Sequence, residues 1–86
     1  MGKIIVNPPT FAPGCVPVEV AAKDVFKKDA SWVRAGIIDG WLPIGDATRD
    51  GKKVTDLSEM DGRHGRISYA IYPMLLWALT GYVWKG

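Results

Sequence analysis

The chain is 86 residues long, enough for one small domain and too short for two. Its 48% hydrophobic and 23% charged residues exclude general disorder, and four Trp, three Tyr and two Phe supply the bulk of a thin core. A formal net charge of +2 permits a polyanionic partner without requiring one, and the single cysteine, Cys15, excludes an internal disulfide. With one Cys and one His, no four-ligand zinc site is expected. No secretory signal is expected, because only Ile4-Ile5-Val6 is apolar before the first prolines. The most apolar stretch, residues 73–84, is shorter than the roughly 20 residues that a membrane span requires.

In chain order, residues 1–15 read as an extended arm, because Pro8, Pro9, Pro13 and Gly14 oppose a helix. Ile4–Val6 is either an edge strand or part of a loose tail. Pro17 suits a first helical turn, and Val18, Ala21, Ala22 and Val25 repeat as one buried helix face. Asp29 is a natural N-cap for a second helix, with Val33 and Ile37 facing inward and Gly40 as its stop. Residues 41–72 read as a hairpin, with strand candidates at Ile44–Thr48 and at the alternating Ile67, Tyr69 and Ile71. The Asp- and Gly-rich segment between them is expected to be a long, mobile tip, with turn signals at Asp50-Gly51 and Asp61-Gly62. Pro73 starts a third helix whose apolar face would be Leu75, Leu76 and Leu79, and Gly81 ends it. Residues 82–86 are left as an aromatic tail.

This order, with its motifs, resembles a known group. Pro17, Ala21-Ala22, Val33-Arg34, Gly40-Trp41-Leu42-Pro43, Ser68-Tyr69-Ala70-Ile71-Tyr72-Pro73, Leu75-Leu76 and Thr80-Gly81 follow one another as in the excisionase subgroup of the MerR-like winged-helix superfamily. More narrowly, they resemble small DNA-binding proteins of phages and integrative elements of Gram-positive bacteria. The resemblance spans residues 16–81 and implies an α+β winged helix-turn-helix domain. It also implies double-stranded DNA as partner, with the second helix in the major groove and the hairpin as wing. An excisionase or a small transcriptional regulator of this kind acts without catalysis, by binding DNA and recruiting an integrase or another protein. It would be cytoplasmic and nucleoid-associated. The chain departs from the pattern at Ile38 and Asp39, where relatives are often polar or basic, and in the length of the wing tip.

Charge is distributed unevenly. Arg49, Lys52 and Lys53, then Arg63 and Arg66, form two basic clusters around the acidic Asp56, Glu59 and Asp61. If the hairpin closes near residues 49 and 66, the clusters merge into one basic patch with an acidic tip beyond it. The candidate DNA-contacting residues are Lys27, Lys28, Ser31, Arg34, Ala35, Arg49, Lys52, Lys53, Arg63 and Arg66. Arg34 is expected to point outward beside the inward Val33, toward DNA or toward Asp29 and Asp39. Ser31 and Ala35 either touch DNA or face solvent. Trp32 fills a gap between helices or stacks on a sugar, and Ile38 is a contact to DNA or a partner, or an extra core position. Tyr82 and Trp84 either pack on the third helix or bind a protein partner. Phosphate contacts this few favour self-association on adjacent sites. His64 has no Ser, Cys or metal partner, so no catalytic residue and no cofactor are expected. The alternative is a protein-interaction module that keeps the winged-helix fold and does not bind DNA.

Overall fold

The computed structural model describes residues 8–61 and 65–86; the candidate strand at Ile4–Val6 lies outside them. The arm is extended and held at two points. The Ala12 N–H donates to the Trp84 carbonyl at 3.0 Å, and the Val16 N–H donates to the Ile71 carbonyl at 2.9 Å. Phe11 meets Trp77 edge-on, with ring centroids 6.3 Å apart.

Pro17, at φ −60° and ψ 142°, turns the chain into α1 (Val18–Val20), which continues as a π-helical stretch, Ala21–Phe26. Ala21 and Ala22 are fully buried, and such small side chains let this helix lie close against the next. Lys27 then adopts a left-handed conformation, φ 57° and ψ 43°, and the Lys28 N–H bonds back to the Ala22 carbonyl at 2.9 Å. Glycine is the residue that this backbone favours. Lys27→Gly should therefore raise stability by about 0.5–1 kcal/mol in a urea melt, after the greater freedom of glycine in the unfolded chain is allowed for.

Three residues later α2 (Ala30–Asp39) begins. Asp29 takes the extended N-cap conformation at φ −73° and ψ 153°, but its carboxylate makes no capping hydrogen bond. Val33, Ile37 and Ile38 are buried, so Ile38 is a core residue and the inward stripe is wider than Val33 and Ile37 alone. Gly40, at φ 91°, ends the helix.

The sheet has three antiparallel strands, β1 (Gly45–Arg49), β2 (Lys52–Lys53) and β3 (Ser68–Ile71), in the order β2-β1-β3. Gly45 pairs with Ile71 and Thr48 with Ser68, while Arg49 pairs with Lys52 on the other side. Asp50 and Gly51 have φ of 53° and 78°, the positive angles that a two-residue type I′ turn needs. The period-2 pleat puts Ala47 and Ile71 inward and leaves Asp46, Thr48, Lys53 and Ser68 on the outer face. The last element, α3 (Pro73–Thr80), starts at its proline and stops at Gly81, φ 81°.

The fold is a small α+β domain: helices, a three-stranded antiparallel sheet, then a C-terminal helix. Two expectations need correction. The segment after β1 is not one long tip. The Asp50-Gly51 turn sends the chain straight back, the Val54 N–H bonds the Ala47 carbonyl at 2.8 Å, and Val54 is buried. A 3₁₀ turn, Leu57–Asp61, follows and packs near α2. Glu59 therefore folds back onto Arg49 of β1 instead of lying beyond it. The second correction concerns α3, where only Leu76 is buried while Leu75 and Leu79 are exposed. A helix without a polar side gives no sequence signal for which side turns inward.

Candidate functional site

The basic residues fall into three environments. Lys27 and Lys28 are exposed in the turn between the first helix and α2. Lys28 Nζ stands 6.0 Å from the Trp32 ring centroid, and Trp32 is half-buried between Phe26 at 5.4 Å and Trp41 at 4.9 Å. The Trp41 ring lies over Gly36, where an added Cβ would stand 2.9 Å from Trp41 Cη2 and 2.8 Å from Leu42 Cβ. Gly36 thus lets this aromatic group close over α2.

The second environment is α2 itself. Ser31, Ala35 and Asp39, at helical spacing of four, form its outward stripe. Arg34 is not on that stripe. A step of 100° from the inward Val33 turns it to the flank facing β3, where its guanidinium lies 5.8 Å from the Tyr69 ring centroid. Burial pushes the Tyr69 hydroxyl up in pKa, and the charges of Arg34 and Arg49 partly offset that. Arg49 comes to the same place from β1. Its side chain is 10% exposed and donates from Nη1 to Glu59 Oε1 at 3.0 Å and from Nη2 to the Glu59 carbonyl at 2.8 Å. Arg49 is therefore a packed, paired residue and no part of a free basic patch.

The third environment is the hairpin and the outer sheet face. Lys52 and Lys53 are both exposed on β2. Lys53 Nζ lies 3.6 Å from Asp46 Oδ1, and the Tyr72 hydroxyl donates to Asp46 Oδ2 at 3.2 Å. That hydrogen bond, then the Asp46 charge, pushes the Tyr72 pKa up. These side chains with Thr48 and Ser68 line a shallow depression of about 480 Å³. Arg66 is exposed beside a smaller one that also touches Glu59 and Tyr69. Arg63, like His64, lies outside the described residues. Asp56 accepts from the backbone N–H and the hydroxyl of Ser58, both at 2.9 Å, and these bonds lower its pKa.

The sequence-predicted residues are thus brought together in part. Arg34 and Arg49 converge on Tyr69, whereas Lys27, Lys28, Lys52, Lys53 and Arg66 face solvent. Ser31 is exposed and Ala35 half-buried. Tyr82 and Trp84 are half-buried and pack against the core, so the tail is not a free aromatic arm. Trp41, 49% exposed, and the exposed side of α3 were missed in the sequence. A usable signal for the first was Gly36, a small residue in the last turn of α2, on which the aromatic just beyond the helix end can fold back. Among the described residues no group of three or more His, Cys, Asp or Glu is placed to hold a metal ion. No described helix is long and apolar enough to cross a membrane. Comparison with protein-family models, curated proteins and solved structures finds no match for this chain.

Proposed function

We propose that this chain is a small winged helix-turn-helix protein that binds double-stranded DNA, an excisionase or small transcriptional regulator of a phage or mobile element. One observation carries the reading. Two helices joined by a three-residue turn precede a tight hairpin that exposes Lys52 and Lys53, the order and chemistry of a helix-turn-helix with a basic wing. In this reading α2 enters the major groove with its small Ser31 and Ala35, while Lys27, Lys28, Lys52, Lys53 and Arg66 contact phosphates. Arg34 supports the approach from the flank of α2. The protein has no chemistry of its own and acts by shaping DNA and recruiting an integrase or other protein.

Fluorescence anisotropy with random-sequence duplex DNA tests this. Wild type should bind with a Kd on the order of 1–100 μM at about 50 mM salt and lose most of that binding near 200 mM. The double variant Lys52→Ala, Lys53→Ala should weaken binding about tenfold at low salt and flatten the salt slope by about two. Arg34→Ala should have the smaller effect, because its guanidinium is already engaged over Tyr69. Salt-insensitive binding, or none at low salt, would refute the reading.

One observation favours a second reading, a protein-interaction module with the same architecture. The outward stripe of α2 carries Asp39 and no cation, which suits a protein better than a phosphate backbone. Absence of DNA binding in the low-salt experiment selects it.

A further inference from the structure

Arginines from three elements meet around Tyr69. The Arg34 guanidinium lies 5.8 Å from its ring centroid, and the charges of Arg34 and Arg49 both act on its hydroxyl. Arg66 comes to the same residue from just before β3. There Arg66, Ile67 and Tyr69 line a crevice of about 120 Å³ with Glu59 and Met60 of the 3₁₀ turn. Around this one ring the arginines outnumber the carboxylate, and that carboxylate is already bound by Arg49 at 3.0 Å. Among the described residues neither Arg34 nor Arg66 has a carboxylate partner. Arg49 Nε is buried without a hydrogen-bond partner, so its pair with Glu59 leaves a donor unused. The crevice has the volume of about four water molecules, which is room for a tetrahedral oxyanion.

We propose that this crevice binds one phosphate group, held by the Arg66 guanidinium and the Tyr69 hydroxyl, with Arg34 and Arg49 supplying the surrounding positive field. Charge and donor type select this occupant. A guanidinium presents a planar fork of N–H donors that matches two phosphate oxygens, and the tyrosine hydroxyl adds a third donor. A cation is repelled by the arginines, and an apolar group leaves their donors without partners. Burial raises the pKa of the Tyr69 hydroxyl, so it keeps its proton well above neutral pH and donates. Glu59 opposes the anion, so binding is weak, with a Kd on the order of 1–10 mM for inorganic phosphate. The same chemistry serves a free phosphate and a backbone phosphate of duplex DNA. The inference goes beyond the DNA reading, in which Tyr69 and Glu59 make no contact, and the crevice needs no DNA to be filled.

Titration of the isotope-labelled full chain with inorganic phosphate, followed by amide NMR shifts at constant ionic strength, tests it. Phosphate should give saturable shifts at Arg66, Ile67 and Tyr69 that sodium chloride of equal ionic strength does not give. Tyr69→Phe keeps the ring beside Arg34 and should weaken phosphate about threefold, and Arg66→Ala, at an exposed position, about fivefold or more. Glu59→Gln keeps an acceptor for Arg49 and removes the opposing charge, so it should tighten phosphate about threefold, a gain that a purely structural Glu59 does not produce. Lys23→Ala, at an exposed position on the first helix, should bind as wild type does and excludes a general charge effect. Absence of saturable shifts up to about 100 mM phosphate overturns the proposal. Saturation that Tyr69→Phe and Arg66→Ala both leave unchanged overturns it as well. Duplex DNA then separates the two sources. If phosphate displaces DNA better than chloride does, and Tyr69→Phe weakens both ligands, the crevice holds a backbone phosphate; if DNA binding responds to neither, the crevice takes free phosphate. Phosphate binding without DNA binding refutes the DNA reading alone, and DNA binding without saturable phosphate shifts refutes this one alone.

Discussion

Gly45→Ala should unfold the domain. Gly45 opens β1 opposite Ile71, and a Cβ there would stand 1.8 Å from the Ala70 carbonyl oxygen and 2.9 Å from the Ile71 Cα. Those are backbone atoms of β3, so no rotamer change removes the overlap. The strands must separate, which breaks the β1–β3 ladder and lifts the fully buried Ile71 and Ile44 from the core. The cost is about 4 kcal/mol or more, set against a total stability on the order of 5 kcal/mol for a chain of this size. Loss of the near-ultraviolet circular dichroism signal at room temperature is the expected readout. Gly14→Ala is the control. Gly14, unlike Gly45, has a positive φ, +91°, and nothing lies within 4 Å of its Cβ position, so only the conformational cost of about 1 kcal/mol applies. Equal stability of the two variants would show that close approach of β3 is not what requires glycine at position 45.

Glu59→Ala should cost about 2–3 kcal/mol, and Arg49→Met should cost less than about 1 kcal/mol. The asymmetry follows from burial. The Arg49 side chain is 10% exposed and its Nε already has no hydrogen-bond partner, while the Glu59 side chain is 37% exposed. Removing the carboxylate leaves a nearly buried guanidinium with one carbonyl to satisfy it. Removing the guanidinium leaves a carboxylate that water can reach, and methionine fills most of the vacated volume. Combining the two changes should recover most of the loss caused by Glu59→Ala. Urea melts of the three variants decide the matter, and equal losses from both single changes would contradict it. The same variants bear on DNA contact: if Arg49 is a structural residue, Arg49→Met leaves the salt slope of binding unchanged.

Element boundaries were the most legible part of the molecule, because each rests on one residue's local chemistry. Pro17 and Pro73 start helices, Gly40 and Gly81 end them in left-handed conformations, and Asp50-Gly51 makes the tight turn. Alternation also placed Tyr69 and Ile71 on the inner side of one strand. What stayed hidden depends on partners distant in the chain. Arg34 could be taken as outward only by treating a helix as having two sides. The three-dimensional stripe has flanks, and β3 occupies one of them. Glu59 looked like part of a solvated acidic tip because nothing local shows that the chain folds back to Arg49. Of the candidate site, the lysines at both turns and Arg66 were legible as exposed cations, since polar turn positions face solvent. Trp41 and the outer rows of α3 were not, because exposure of an apolar residue is decided by which neighbour fails to cover it.

The link between Ala12 and Trp84, with that between Val16 and Ile71, has a consequence for how the protein is made. Both bonds join the early part of the chain to its late part, and β1 cannot fill its second edge until Ser68–Ile71 exists. A nascent chain emerging from the ribosome therefore holds the two leading helices and the first hairpin with part of their apolar surface uncovered until residues 68–84 have emerged. Folding that waits on such distant contacts is slow relative to a helical bundle of equal length, and the interval before that segment emerges is when the unfinished sheet is open to other chains.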